Sequence, residues 1–397
     1  MKVSVAIPTH NRLDLLRDAV ETVRRQDYQN WEVVIFDNAS GDDVARYVAE
    51  LNDPRIRSAR SDIFLPVTDS WNRALSMAGG DYVITIGDDD GLMPGYLSRL
   101  ASLIATFHNP DLVYAGVLQF FHPGVAPAAP LGFVVDNRYA FFFGQRTEPF
   151  LLPDRDALKA ISGSVTFRRN FGLGMQSFCF SRRLLDDLRR DGPLFRAPFP
   201  DYYLANVAIA SSRATLVIPD PMTIQGISKL SFGFALFNEQ EERGEALLNA
   251  KLHQDPLFDR VSGRLLPGPM YQTNYLLTMT HVVEQLRGKL RLRVAVDRYR
   301  RLQMLWAIDR LGVGDWRSGT EAAGLWSRLS LLERLICRAL TFLVRRCGKR
   351  YPKLSTAIRR HVEPYRFFPQ SRFLSDGNYS GVLELFEALR SGRLAVN

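Results

Sequence analysis

The sequence predicts an α/β fold: a Rossmann-like, mostly parallel sheet flanked by helices, with a helical C-terminal extension. Three observations predict it. The first hundred residues alternate between short apolar runs and segments with helical spacing, the pattern of repeated βα units with right-handed crossovers. The apolar run Tyr82 to Ile86 leads into Asp88-Asp89-Asp90, which sets carboxylates at the end of a strand, where open α/β sheets bind ligands. Beyond about Gly233 the pattern is helical to the end.

Each element has a local reason. Val3 to Ile7 is an apolar run closed by Pro8. Asp14 to Arg25 carries Leu15, Leu16, Ala19, Val20 and Val23 on one helical side. Trp31 to Phe36 reads as a second strand ending at Asp37-Asn38, and Asp42 or Asp43 caps a helix over about Val44 to Leu51. Ile56 to Ala59 is a short strand. Ser70 to Met77 is a helix stopped by Gly79-Gly80, and Tyr82 to Ile86 is the strand before the aspartates. Pro94 to Thr106 reads as a helix and Leu112 to Leu118 as a strand. Residues 119–160, rich in Phe, Pro and Gly, read either as a long loop or flap over a site or as a structural hairpin. Ser177 to Phe180 is a strand followed by a helix over Ser181 to Arg190. Phe199-Pro200-Asp201-Tyr202-Tyr203 opens a further helix, and Thr215 to Ile218 is a strand. The boundaries expected are 1–110 and 111–235 for the two halves of the sheet domain, with 119–160 inserted in the second. Residues 236–397 form a helical, basic region.

Composition is that of a globular protein, 46% hydrophobic and 23% charged, which excludes disorder as the main state. No run reaches the roughly 18 apolar residues of a spanning helix, and no leader peptide is expected before Lys2. Three cysteines without metal-ligand spacing fit a reducing compartment, and six scattered histidines argue against a zinc cluster. The net charge of +9 is unevenly spread: residues 1–120 hold 11 Lys+Arg and 17 Asp+Glu, whereas 286–366 hold 20 and 6. The two ends are expected to do different jobs.

Three adjacent carboxylates repel one another and are stable together mainly with a cation between them. An all-oxygen set suits Mg2+ or Mn2+ shared with nucleotide phosphates; a solvated acidic turn is the bland reading.

Four motifs in order resemble the family 2 glycosyltransferases, whose fold is called GT-A. Val5-Ala6-Ile7-Pro8-Thr9-His10-Asn11-Arg12 is similar to the family's opening Pro-Thr-Tyr-Asn-Arg signature. Phe36-Asp37-Asn38-Ala39-Ser40 resembles its Asp-Asp/Asn-x-Ser segment. Asn72-Arg73-Ala74-Leu75 through Ala78, Gly80 and Tyr82 resembles its helix-to-strand passage. Asp88-Asp89-Asp90 falls at its metal-binding Asp-x-Asp-type motif. The match is dense over residues 3–100 and thinner over 175–235.

The resemblance implies a metal-dependent, inverting enzyme taking a nucleotide-diphosphate sugar, with a UDP-sugar as the expected donor. It implies nucleotide contacts from Pro8, Thr9, His10, Arg12, Asp37, Asn38, Asn72, Arg73 and Asp88. Asp37 or Asn38 accepts from the imide of a uracil-type base, His10 stacks on the base or is a hydrogen-bonded turn histidine, and Asp88 faces the ribose. Asp89 is the direct ligand of Mn2+ or Mg2+, with Asp90 the alternative. Many relatives carry an Arg where this chain has Trp71; Arg73 either supplies the missing phosphate contact or is a solvated helix residue. The inverting base is expected at Asp201, 112 residues past Asp89 at a helix start, where it also suits capping. Asp186, Asp187 and Asp191 are rivals. Gln225 stands where relatives often have a His-containing loop, and Lys229 is a candidate phosphate contact.

The segment Ser330 to Arg346 puts Arg334, Arg338, Thr341 and Arg345 on one helical face and Leu332, Leu335, Ile336, Ala339, Phe342 and Leu343 on the other. Such a helix lies on an anionic membrane surface, expected through 330–350, or packs its apolar face on protein. Nucleic acid is not expected, for want of a binding motif. The function expected is sugar transfer to a hydroxyl of a glycan or lipid-linked glycan, of surface-polysaccharide type. It would act in the cytoplasm, peripherally on the inner face of a membrane. Transfer to a polyprenyl phosphate is a second enzymatic reading, and a non-catalytic nucleotide-sugar-binding scaffold a third. The oligomeric state is open.

Overall fold

The computed structural model describes residues 1–126, 129–137, 146–168, 172–237, 240–249, 252–313, 319–347 and 371–396. The first half follows the βα alternation: β1 Val3–Thr9, α1 Leu13–Arg24, β2 Trp31–Asp37, α2 Val44–Glu50, β3 Ile56–Arg60, α3 Val67–Met77, β4 Tyr82–Thr85, β5 Gly91–Leu92 and α4 Tyr96–Thr106. Asp43, one of the two candidate caps, accepts from the Arg46 amide at 2.9 Å. The chain continues through β6 Leu112–Phe121, β7 Phe133–Asn137, β8 Phe150–Leu151, α5 Asp154–Val165, β9 Phe178–Ser181, α6 Arg182–Arg189, α7 Pro200–Ser211 and β10 Thr215–Ile227. Helices α8 Phe232–Phe237, α9 Glu241–Leu248, α10 Phe258–Ser262, α11 Met270–Gln285, α12 Val296–Val313, α13 Gly319–Arg328 and α14 Leu331–Cys347 follow. Strand β11 Ser371–Asp376 and α15 Val382–Arg390 end the described chain.

Among the described residues one sheet runs in the order β11-β7-β6-β9-β4-β1-β2-β3. The block β4-β1-β2-β3 is parallel. Strand β9 enters antiparallel between β4 and β6, and β10 runs parallel along the other side of β6. Strands β1, β2 and β4 are buried at every position because both faces are covered. Val5, Ile7, Val33, Ile35 and Ile84 face α1, α2 and α4, while Ala6, Val34, Phe36 and Val83 face α3, α6 and α7. Each fully buried Val or Ile there contributes about 1.5–3 kcal/mol of transfer free energy.

Within the described part of 119–160 the hairpin reading is the one observed. Strand β6 extends to Phe121 and pairs antiparallel with β7, and Phe121 stacks on Phe133 at 4.2 Å. The C-terminal region is helical as expected, with one strand the helical pattern did not reveal. Strand β11 pairs antiparallel with β7, and α15 packs against α1, where Arg25 meets Glu387. Helices α11 and α12 share the large core through Tyr275, Leu276 and Tyr299. Among the described residues, no helix is long and apolar enough to cross a membrane.

Candidate functional site

Strands β1, β2 and β4 run parallel, so their carboxyl ends open on one edge of the sheet. A cleft of about 440 Å³ lies there. Pro8, Thr9, His10, Arg12, Asn38, Asp88, Asp89, Asp90 and Asp201, all named from sequence, line it.

The aspartates are held by neighbours that differ from one carboxylate to the next. Asp88 accepts from the Thr9 hydroxyl at 2.7 Å and from Arg12 at 3.0 Å. Asp90 accepts from the Gly87 amide at 2.7 Å and the Gly226 amide at 2.9 Å. Asp89 receives the Ser228 hydroxyl at 3.0 Å on one oxygen, with Arg12 at 4.0 Å. Burial raises Asp88 above the ordinary carboxylate range, with Arg12 pulling down and Asp89 pushing up. Burial, then the charge of Asp89, raises Asp90 well above it. Gly226 must be glycine: a Cβ there would meet the Asp89 carbonyl at 1.7 Å.

Two of the three carboxylates thus have both oxygens engaged. Among the described residues no three His, Cys, Asp or Glu side chains converge as a protein-only metal cage. The remaining Asp89 oxygen fits a different arrangement, one divalent ion bound through a single carboxylate and completed by phosphates, as Mg2+ commonly is.

The opposite wall is aromatic. His10 lies 4.4 Å from the Phe64 ring. Its Nε2 accepts from the Asn11 amide at 3.0 Å, which leaves Nδ1–H to donate to the Asn38 carbonyl at 2.7 Å. The Asn38 side chain holds Leu65 from both ends, accepting its amide at 2.9 Å and donating to its carbonyl at 3.1 Å. Asp37 sits behind the lining, buried, bound by the Ser40 amide and by Arg60 at 2.9 Å.

Asp201 enters from α7. Pro200 occupies the first turn, where its missing N–H is no loss, and Asp201 accepts from the Tyr202 amide at 2.8 Å. Burial pushes its carboxyl up to about 7, the value a general base needs near neutrality. The helix is preceded by Phe199, whose side chain makes no cap hydrogen bond. The rivals Asp186 and Asp187 pair with arginines of α6 on the surface, and Asp191 contacts Gln285.

Besides Asp37, three residues expected to touch nucleotide lie outside the lining. Asn72 accepts the amides of Leu194 and Phe195 at 3.0 Å and donates to the Phe195 carbonyl at 2.9 Å, tying α3 to that loop. Arg73, one position on, is exposed outside the lining. Lys229 is exposed and lies against Gly124, because the turn that aims Ser228 at Asp89 aims its neighbour away. Conversely, Phe64, Trp71, Tyr202, Phe232 and Tyr271 line the cleft without having been read as ligand contacts. Trp71 was visible as a departure from the family pattern. Tyr271, brought in by α11 far along the chain, gave no signal at all.

The profile of "Glycosyl transferase family 2" matches residues 4–161. WcaA of Escherichia coli (strain K12), whose name refers to colanic acid biosynthesis, is 41% identical over 98 residues, 24% of this chain and 35% of that protein. The GalNAc(5)-diNAcBac-PP-undecaprenol beta-1,3-glucosyltransferase of Campylobacter jejuni is 34% identical over 102 residues, 25% of this chain and 33% of that one. The matched segment therefore spans about a third of these relatives' length. Among solved structures, Staphylococcus aureus TarS 1–349 in complex with UDP-GlcNAc superposes with a TM-score of 0.43 at 14% identity, covering 89% of this chain and 92% of that one.

Proposed function

We propose, from the premise that residues 4–161 belong to glycosyl transferase family 2, that this protein transfers a sugar from a nucleoside diphosphate to a hydroxyl of a glycan. The single observation that carries the reading is that the Asp88–Asp90 cluster and Asp201 line one cleft. A phosphate-side group and a base near neutrality are what an inverting transfer requires.

In this reading the base and ribose lie over His10 and Phe64, and the diphosphate lies between Arg12 and Asp89. Mn2+ or Mg2+, held by Asp89, would stabilise the charge gathering on the leaving diphosphate. Asp201 takes the proton of the acceptor hydroxyl. The acceptor oxygen bonds to the anomeric carbon as the bond from that carbon to the diphosphate oxygen breaks. Phe199, Tyr202, Phe232 and Tyr271 form the wall beside Asp201, with Phe199 5.1 Å from Tyr271 and 5.8 Å from Phe232. Such rings suit the apolar face of a sugar acceptor. A lipid-linked glycan is the acceptor class favoured, by analogy with the relative named for an undecaprenol-linked glycan, and the cytoplasmic face of a membrane is the location proposed with it.

The test is a donor panel. Purified protein is incubated with UDP-, GDP- and dTDP-sugars and Mn2+, and release of nucleoside diphosphate is followed. One donor class turned over by wild type and not by Asp201→Asn supports the reading. A folded protein that turns over none contradicts it.

A further inference from the structure

Among the described residues, the apolar face of α14 is largely exposed. Leu331, Leu332 and Leu335 are 78%, 68% and 64% exposed, and Ile336 and Phe342 follow at 40% and 59%. With a step of 100° per residue, these side chains and Ala339 fall on one stripe. The helix is held by a different edge: Cys337 is buried with Met304, Ile308, Leu325 and Leu329, and Leu340 packs beside them. An apolar stripe turned outward is costly in water unless something covers it.

The charges bordering the stripe indicate what covers it. Arg338 is exposed and lies 5.7 Å over the Trp326 ring, and Arg328 is exposed just ahead of the helix. Arg334 keeps its own side of the helix, anchored to the Leu329 carbonyl at 3.0 Å. The acid of the helix, Glu333, is neutralised by Arg300 at 2.8 Å. What faces outward is therefore apolar and cationic, with no carboxylate in the stripe. A water-facing protein partner would leave these arginines on the rim, whereas an anionic lipid surface meets both at once, acyl chains with the leucines and headgroups with the guanidinium groups.

We infer that α14 docks this protein side-on to an anionic lipid surface through Leu331, Leu332, Leu335 and Ile336, with Arg328 and Arg338 at the headgroups. The inference does not rest on the transfer chemistry, but it deepens its acceptor side. Leu266 belongs to the cluster that holds α14, and the chain runs directly from there into α11, whose Tyr271 lines the cleft. The docking helix and the acceptor wall are thus joined by one short packed segment.

The experiment is co-sedimentation of the full chain, without nucleotide, with vesicles of phosphatidylglycerol and phosphatidylcholine or of phosphatidylcholine alone. Wild type is expected to bind the anionic vesicles only, and less as salt rises. Leu332→Glu/Leu335→Glu is expected to lose binding with an unchanged melting midpoint, since both side chains are already exposed. Arg338→Gln, which leaves the stripe intact, is expected to bind about fivefold more weakly, the equivalent of about 1 kcal/mol for one basic residue at such a surface. No vesicle binding by folded wild type overturns the inference, as does equal binding by the leucine variant. Sedimentation showing wild-type self-association that the leucine variant abolishes also overturns it, by assigning the face to a second copy.

Discussion

The Arg12 guanidinium lies 3.0 Å from an Asp88 oxygen. This pair joins the loop after the first strand to the end of the fourth, and Arg12 also donates to the Leu230 carbonyl. A cation is thus built into the acidic cluster before any ligand arrives. Three segments distant in sequence meet at one side chain.

Arg12→Met is therefore expected to leave Asp88 buried without its partner. Removing one member of a buried pair costs about 3–5 kcal/mol, and Arg12 also faces the proposed diphosphate. Thermal melts should show a lowered midpoint, and nucleotide should no longer raise it. An unchanged midpoint would mean that the pair is incidental.

Asp201→Asn is expected to lower the transfer rate about 10²- to 10⁴-fold with little change in donor affinity. The wild-type rate should rise with pH through about 7, where the Asp201 carboxyl loses its proton. The raised value also has a stability consequence. The folded state holds this proton more tightly than the unfolded one, so stability falls as pH rises from the ordinary carboxylate range toward 7. In alkaline buffer the Asn variant should melt no lower than wild type.

Asn72→Ala separates a structural role from a nucleotide contact. The change leaves the Leu194 and Phe195 amides without their acceptor. A loss of about 1–3 kcal/mol in urea unfolding follows from unpaired buried donors. Nucleotide affinity of the folded variant should be unchanged.

Glu32 gives a pH dependence of opposite sign to Asp201. Against burial, which raises it, hydrogen bonds from Lys2 at 2.7 Å, Ser4 at 2.6 Å and Gly79 at 2.6 Å hold its carboxyl down at about 2. The stability it supplies is present above its unfolded value of 4.5 and is lost as pH falls from there toward about 2. Urea midpoints of Glu32→Gln should fall less steeply than wild type across that window.

The βα alternation of the first half was legible because strands covered on both faces are continuous apolar runs and their helices carry one apolar side. The strand at Thr215 was visible, but its full course to Ile227 was not, since Pro219 and Pro221 interrupt the apolar pattern. Strand β11 was hidden for another reason: it is an added strand on β7, supported by pairing rather than by its own periodicity. At the site, Thr9, Arg12, Asp89 and Asp201 could be named because their side chains carry chemistry at motif positions. Asn72 looked the same in sequence, yet its amide is turned to the 194–195 loop. A single sequence does not say which way a polar side chain points, nor that Ser228 would reach Asp89 from 139 residues away.

The most direct test of the central claim is calorimetric titration of wild type and Asp89→Ala with UDP, GDP and dTDP, with and without Mn2+. One nucleotide is expected to bind wild type in a metal-dependent way. Asp89→Ala is expected to lose more than about tenfold in that affinity while keeping its fold. Equal affinity in the two proteins, or no nucleotide bound by folded wild type, would contradict that claim and leave the aspartates a purely structural role.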